Sequence, residues 1–432
     1  MKKNINIGLL GLGTVGGGVL KVLKENAYEI SQKVGGNVKI KKVLVRDINK
    51  KRTIEGDFSV TSDVNDIIND EEIDIVIEVM GGENPAKEYM LRALNAGKHV
   101  VTANKDVVAK FGREMFEAAK KHDVDFMFEA SVGGGIPIIT PLKQCLTANK
   151  ITEVMGIVNG TTNYMLTKMT DEKMDYNAVL AEAQEKGYAE ADPTADVEGL
   201  DAARKITILS SIAFNTRVGL EDVYVEGITK ITPEDIEYAR ELGYVIKLLA
   251  IAKDCGENGV DVRVHPVFIS KEHPLAAVSD VFNAIFVKGN AVGETMFYGR
   301  GAGEKPTASA VVGDVIDIAR NIVNHIVGSV RCTCFEHRKV CPIEKTASAY
   351  YVRLLVEDEP GVLATIAGVF GRSGVSLNSV IQTRKVNNRA EIVLITHNVA
   401  EENLRKASTT IKDLSVVSEI RNIIRVETPQ EA

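Results

Sequence analysis

Several things are scarce in this chain of 432 residues, and each scarcity closes off a class of protein. Positive charge is in deficit: 52 Lys and Arg stand against 59 Asp and Glu, for a net −7 at pH 7. With no Lys/Arg-rich run to offset it locally, this excludes a nucleic-acid surface. No stretch is long and apolar enough to cross a bilayer. The first ten residues carry Lys2 and Lys3 but no extended apolar core and no small-residue cleavage site, so they read as a first strand rather than a secretory signal. Cysteine is rare and odd in number, at five, which fits a reducing cytoplasm. What is present is ordinary for a globular protein, with 45% apolar and 26% charged residues. A chain of this length exceeds a single core and should divide into about two to four domains.

The first segment alternates apolar runs with amphipathic stretches. Strands are expected at Ile5 to Leu10, Val38 to Val45, Ile73 to Val79, Lys98 to Thr102 and Val124 to Phe128. Strands separated by helices make a parallel sheet covered on both faces, an α/β Rossmann-like domain. Gly11-Leu12-Gly13-Thr14-Val15-Gly16 follows the first strand and opens a helix near Thr14. In that context G-x-G-x-x-G marks a dinucleotide site, because the glycines permit a tight turn and close approach of a pyrophosphate to helix N–H groups. At the end of the second strand Arg46 would face a 2′-phosphate and favours NADP, whereas the adjacent Asp47 would suit the ribose hydroxyls of NAD. Thr102-Ala103-Asn104-Lys105 places an amide and an amine beyond a strand C-terminus, where ligands sit in open α/β sheets. The bend from Glu129 to Pro137 contains three consecutive glycines. It serves either as a plain domain crossover or as a set of carbonyls turned toward one hard cation beside a carboxylate.

Beyond the bend the pattern changes. A strand from Ile151 to Val158 ends in Asn159-Gly160, and Thr161-Thr162-Asn163 offers hydroxyl and amide caps to a helix. A second helix through Tyr176, Val179, Leu180 and Ala183 should stop at Gly187. Then Glu190, Asp196 and Asp201 stand close before Lys205. Asp201 and Lys205 are four apart on an expected helix and share a face. Such a pair is commonly a surface ion pair of little consequence. In a cleft, the same lysine can move a proton while the carboxylates orient a cationic substrate. Thr232-Pro233-Glu234-Asp235 starts another helix. Runs at Tyr244 to Ala252, Val260 to Ile269, Phe282 to Lys288 and Val292 to Tyr298 indicate a mixed or antiparallel sheet, and an apolar helix from Thr307 to Val327 is placed to return to the nucleotide domain.

The chain resembles the homoserine dehydrogenase family over about its first 330 residues. The family signature A-x3-G-…-D-P-x2-D-…-G-x-D-x3-K is met by Ala183, Gly187, Tyr188, Asp192, Pro193, Asp196, Val197, Gly199, Asp201 and Lys205. The Thr102 to Lys105 loop, residues 156–163 and Gly301-Ala302-Gly303 match it as well. The resemblance implies reversible NAD(P)-dependent reduction of L-aspartate 4-semialdehyde to L-homoserine, on the route to threonine, methionine and isoleucine. It implies Lys205 as proton donor and acceptor, and Lys105 as a cofactor ligand that assists the chemistry. Glu190, Asp201, Asp196, Gly160 and Thr161 become the substrate-binding set. Gly187 and Gly303 join Gly11, Leu12, Gly13, Thr14, Val15, Gly16 and Arg46 around the cofactor. It further implies a sodium-like monovalent cation held by the Glu129 side chain and the carbonyls of Val132, Gly134 and Ile136.

The expected domains are 1–136 with 303–328 returning to it, a catalytic and dimerisation domain at 137–302, a linker at 329–346 and a final unit at 347–432. The linker holds Cys332, Cys334, His337 and Cys341, whose C-x-C-x2-H-x3-C spacing lacks paired zinc knuckles; it reads as a reduced linker, with zinc as the alternative. Cys145 and Cys255 stand singly and read as packing residues, which counts against aspartate-semialdehyde dehydrogenase with its nucleophilic cysteine. In the final unit Tyr350, Val352, Leu354 and Val356 alternate with Tyr351, Arg353 and Glu357, as in a half-buried strand. The β-α-β-β-α-β order, with Glu357 to Leu363 at its first turn, resembles an ACT domain, which implies an amino-acid effector, threonine being expected, or pairing without a ligand. A homo-oligomer, dimer or tetramer, is expected. The alternatives are another ACT-bearing amino- or hydroxy-acid oxidoreductase and a noncatalytic amino-acid sensor.

Overall fold

The periodicity of the first segment does produce a parallel sheet. In the computed structural model, which describes residues 4–50, 56–328, 331–386 and 388–427, the strands run in the order Ser59–Thr61, Asn37–Leu44, Asn4–Leu10, Ile75–Glu78, His99–Thr102, Phe126–Met127. Every neighbouring pair is parallel. The edge strand Ser59–Thr61 was not expected; it is three residues long and largely exposed, so it carries no apolar period. The last strand is shorter at both ends than Val124 to Phe128; it stops where Phe128 leaves the extended region (φ −154°, ψ 33°) as the chain enters the bend.

Contacts divide the chain into two units. The first gathers the chain up to Val154, Arg204–Glu221 and Phe282–Arg338. Its core joins Ile5, Ile7 and Leu9 of the first strand and Val19 of the first helix to Ala308, Val311, Val315 and Ile318. The latter lie on the helix Glu304–Asn324. That helix begins before Thr307, since Pro306 is tolerated in a first turn where its missing N–H has no intrahelical acceptor. Phe282–Gly289 and Gly293–Arg300 form an antiparallel hairpin in the same unit.

The second unit contains Met155–Ala203, Asp222–Val281 and the chain from Lys339. Its sheet runs Tyr244–Asp254, Val260–Ser270, Val417–Glu427, Ala347–Glu357, Arg389–Thr396, Leu377–Val386. The junction of Val260–Ser270 with Val417–Glu427 is parallel and the other pairings are antiparallel, so the sheet is mixed as expected. The last four strands, with helices Val362–Arg372 and Glu401–Lys412, make the β-α-β-β-α-β fold. Tyr350, Val352, Leu354 and Val356 pack with Ile366, Phe370, Leu404 and Ile411. Asn387-Asn388 reads in the sequence as a hairpin turn, which lies partly outside the described residues; Asn388 itself has φ +66°.

The strand Ala347–Glu357 is not half-buried: both of its faces are covered. Tyr351 stacks on Phe268 at 4.5 Å and donates to Asp235 Oδ1 at 3.0 Å. Arg353 lies 2.9 Å from Asp235 and 3.3 Å from Glu391. Asp235 is fully buried, accepts from Asn422 at 2.7 Å, and completes the capping box with Thr232 at the start of helix Pro233–Glu241. Alternation failed here because an arginine and a tyrosine hydroxyl can be buried once partners meet them. Removing one partner of such a pair leaves an uncompensated buried charge. Asp235→Ala should therefore cost about 3–5 kcal/mol and lower the thermal midpoint. Adding Arg353→Met should recover part of the loss, and a wild-type midpoint in the single variant would refute this account.

Candidate active site

The glycine loop shows what each glycine is for. Gly11 adopts φ +103° and its N–H bonds to the Leu44 carbonyl at 3.1 Å. A Cβ on Gly16 would lie 2.2 Å from the Gly11 carbonyl oxygen, so only glycine lets the helix Thr14–Glu25 begin so close to the turn. A Cβ on Gly13 would meet nothing within 4 Å, and Gly13 caps the helix with no side-chain hydrogen bond. The outer glycines shape the turn, and the middle one leaves open the approach that a pyrophosphate needs. Arg46 and Asp47 are exposed just past Leu44, the residue whose carbonyl holds Gly11; Asp47 accepts the Asn49 N–H at 2.8 Å.

Next to this loop stands Glu78, a carboxylate the sequence reading left as a strand end. It is fully buried and accepts from Met80 N at 2.7 Å, Gly81 N at 3.2 Å and Thr102 Oγ1 at 2.7 Å. Burial raises its pKa, opposed by those hydrogen bonds. Asn104 donates to the Gly82 carbonyl at 2.7 Å and accepts from Val107 N at 3.2 Å, capping the helix Lys105–Lys121. The C-terminal ends of two strands are thereby braced, with Lys105 at the first helical position. Asp106 is ion-paired with Arg204 at 2.6 Å. The neighbours in sequence of the two candidate lysines are thus joined, which brings the start of the Lys105 helix to the helix of Lys205.

That second helix is Leu200–Ala213. Asp201 and Lys205 are 5% and 9% exposed, which rules out the surface ion-pair reading. In the second unit the Asn159 amide donates to Asp196 Oδ1 at 2.7 Å and Asp201 Oδ2 at 2.9 Å, while its Oδ1 accepts from Thr162 N at 2.9 Å. Asn159 therefore caps the helix Gly160–Asp171, in place of the expected Thr161 to Asn163. Its position at a strand end, within the matched 156–163 stretch, was the available signal. Thr161 donates to the Tyr188 carbonyl at 2.7 Å. Glu190 remains exposed, its carbonyl taken by Gln184 at 3.1 Å, and Gly187 is exposed with φ +73° after helix Tyr176–Glu185. The loop Gly11 to Gly16, Arg46, Lys105, Glu129 to Ile136, Lys205 and Gly303 belong to the first unit. Asn159, Gly160, Thr161, Gly187, Glu190, Asp196 and Asp201 belong to the second.

At the bend, Gly133 and Gly134 have φ of +71° and +53°. The Glu129 carboxylate accepts from the backbone N–H groups of Ile138, Ile139 and Thr140 at 2.6, 2.8 and 2.7 Å. Its first role is to clamp the chain that follows, which the sequence reading, with Glu129 as a cation ligand, did not anticipate. The Glu129 N–H donates to Asp314 at 2.8 Å, and burial holds the Asp314 carboxyl well above the usual range. Gly303 (φ +126°) opens the helix that carries Asp314. All five cysteines are free, and Cys145 is exposed rather than a packing residue. Among the described residues no three His, Cys, Asp or Glu side chains converge as a metal site, which does not support the zinc reading of Cys332, Cys334, His337 and Cys341.

Comparison with known proteins identifies the family. The family described as homoserine dehydrogenase matches residues 137–316, its NAD binding domain matches 11–129, and the ACT domain matches 350–416. The chain is 46% identical over 429 residues to a homoserine dehydrogenase of Bacillus subtilis, covering 98% of this chain and 99% of that one. The chain belongs to the homoserine dehydrogenase family. It is an NAD(P)-dependent oxidoreductase with a Rossmann-like domain, a mixed-sheet catalytic domain and a C-terminal ACT domain. A solved homoserine dehydrogenase from Thiobacillus denitrificans superposes with TM-score 0.94 at 45% identity, covering 98% of each chain. A hyperthermophilic archaeal homoserine dehydrogenase mutant in complex with NADPH is 26% identical with TM-score 0.62, covering 73% of this chain and 97% of that one.

The two glycines separate folding from cofactor binding. Gly13→Ala should keep the wild-type thermal midpoint yet weaken NADPH binding about tenfold, ~1.4 kcal/mol, by calorimetry. Gly16→Ala should lose stability as well as binding. Unchanged affinity in Gly13→Ala would contradict the assigned approach.

Proposed function

We propose that the enzyme interconverts L-aspartate 4-semialdehyde and L-homoserine with Lys205 as its proton partner. The observation that carries this is a lysine, 9% exposed, four residues after a carboxylate on one helix, next to an arginine ion-paired with the residue after Lys105. When bound, the nicotinamide supplies or accepts the hydride at the carbonyl carbon. Lys205 gives a proton to the nascent alkoxide, and takes the hydroxyl proton in the oxidation direction. Asp201, held by Asn159 beside Asp196, stands one helical turn before Lys205. Glu190 and Asp201 receive the substrate ammonium, with Gly160 and Thr161 at the same site. Lys105, at a helix start beyond the strand ends, contacts the cofactor and assists the chemistry. Lys205→Ala should lower kcat by about 10²- to 10⁴-fold and leave NADPH affinity near wild type; near-normal turnover would falsify the role.

The finer assignments rest on named features. NADP is preferred, on Arg46 beside the glycine loop and on the NADPH complex of the archaeal relative. Gly187 and Gly303, each at positive φ, are assigned to the cofactor on the family signature and the Gly301-Ala302-Gly303 match. A sodium-like cation binds at the bend. Among the described residues no hydrogen bond occupies the carbonyls of Val132, Gly134 or Ile136, and Glu129 accepts three N–H groups on a carboxylate with room for about four partners. The all-oxygen set suits a hard cation. The ACT domain binds threonine as feedback effector, and the chain works as a cytoplasmic homo-oligomer in threonine, methionine and isoleucine synthesis. Leu377–Val386 ends the sheet and offers an edge for pairing. One set of homoserine oxidation rates decides these points. NADP should exceed NAD in kcat/KM, replacing sodium by a bulky organic cation should slow turnover, and threonine should inhibit. A preference for NAD, or indifference to sodium or threonine, would remove the corresponding assignment.

A further inference from the structure

The segment Cys332-Thr333-Cys334 lies in the first unit and contains none of the residues given a role in the proposed function. Its two thiols stand one residue apart in the chain, and each shifts the titration of the other. Arg217 Nη2 stands 3.5 Å from Cys332 Sγ. Lys143, buried with its ammonium 5.0 Å from the Phe116 ring centre and 5.6 Å from that of Phe128, adds positive potential toward both sulfurs. The neighbouring Cys334, with help from Arg217 and Lys143, holds the Cys332 thiol well below its ordinary value, whereas Cys332 and burial push Cys334 up. One sulfur is therefore a thiolate near neutrality and its neighbour keeps its proton, the division of labour of an attacking and a resolving cysteine.

Access and placement agree. Both cysteines are half-buried. Cys332 lines a cavity of about 310 Å³ with Phe116, Lys120 and Arg331, and Cys334 lines another of about 340 Å³ with Arg217. The segment is pinned to the turn that follows the Lys205 helix. Cys334 Sγ is 3.6 Å from the Ser211 carbonyl, Glu336 N donates to the Asn215 carbonyl at 2.8 Å, and Arg338 N donates to Thr216 Oγ1 at 3.0 Å.

We propose that Cys332 and Cys334 form a hydroperoxide-reactive dithiol that closes to an intramolecular disulfide. The Cys332 thiolate attacks one peroxide oxygen, the O–O bond breaks, and the departing hydroxide leaves as water with a proton from solvent. The sulfenic acid so formed is attacked by Cys334; its S–O bond breaks, the S–S bond forms, and the Cys334 proton leaves with the hydroxide as a second water. Two thiols and one hydrogen peroxide yield one disulfide and two waters, the two electrons passing from sulfur to oxygen.

Titration of the reduced full-length protein with hydrogen peroxide, followed by tryptic mass mapping, tests this. The peptide 332–338 should lose two hydrogens before Cys145, Cys255 or Cys341 reacts, and a dithiol reductant should restore it. In Cys334→Ser, Cys332 should be captured as a sulfenic acid by a dimedone probe; in Cys332→Ser, residue 334 should stay unmodified. Iodoacetamide at pH 6 should label Cys332 about tenfold faster than the other cysteines, and Arg217→Gln should reduce that advantage. A peptide 332–338 that stays reduced while other cysteines oxidise, or equal alkylation of all five, would overturn the proposal.

Discussion

Burying a carboxylate is costly unless hydrogen-bond donors replace the water it loses, and this structure repeatedly meets that demand where the site is built. Glu78 is met by two loop amides and a threonine hydroxyl. Glu129 is met by three successive amides. Asp201 and Asp196 share the Asn159 amide. In each case the donors come from a segment that must be held in place: the loop beyond a strand, the chain after the bend, or the start of a helix. Each carboxylate orders that backbone as much as it contributes charge.

The result is a set of short, satisfied connections around the groups to which catalysis is assigned in the proposal. The strand ends beside the glycine loop are braced through Glu78, Thr102 and Asn104 before Lys105 begins its helix. The Asp106–Arg204 pair then ties that helix start to the helix bearing Lys205. The proton donor proposed above must be held near one geometry to be effective, and a lysine has a long flexible stem. Its placement within a helix, with charged neighbours already paired, is how this chain restricts that freedom.

The ACT fold is joined to its neighbours through backbone and buried charge. Val417–Glu427 pairs in parallel with Val260–Ser270, and Asp235 joins a helix start to Arg353 and Tyr351 of the ACT sheet. A change in the ACT sheet therefore acts on a packed, hydrogen-bonded face rather than across a flexible linker. Packed interfaces of this sort shift between discrete arrangements more readily than they deform, which is the physical requirement for an effector to be felt elsewhere.

The sequence by itself determined the five longer strands of the parallel sheet, the glycine turn and the clustered carboxylates before Lys205, since periodicity and short motifs act within a few residues of one another. It also supported the family resemblance through a signature of fixed spacing, with Asp201 and Lys205 one turn apart on a helix. Only the tertiary structure decided that these two are buried, that Asn159 rather than Thr161 to Asn163 caps its helix, that Glu129 spends its carboxylate on amides, and that Arg353 faces a partner instead of water. Each of those outcomes depends on donors or acceptors from elsewhere in the fold: Glu78 meets Thr102, 24 residues on, and Asp235 meets Arg353, over a hundred residues away. Local pattern cannot specify which distant group fills a buried hydrogen-bond position, because that choice is made by the packing of whole elements.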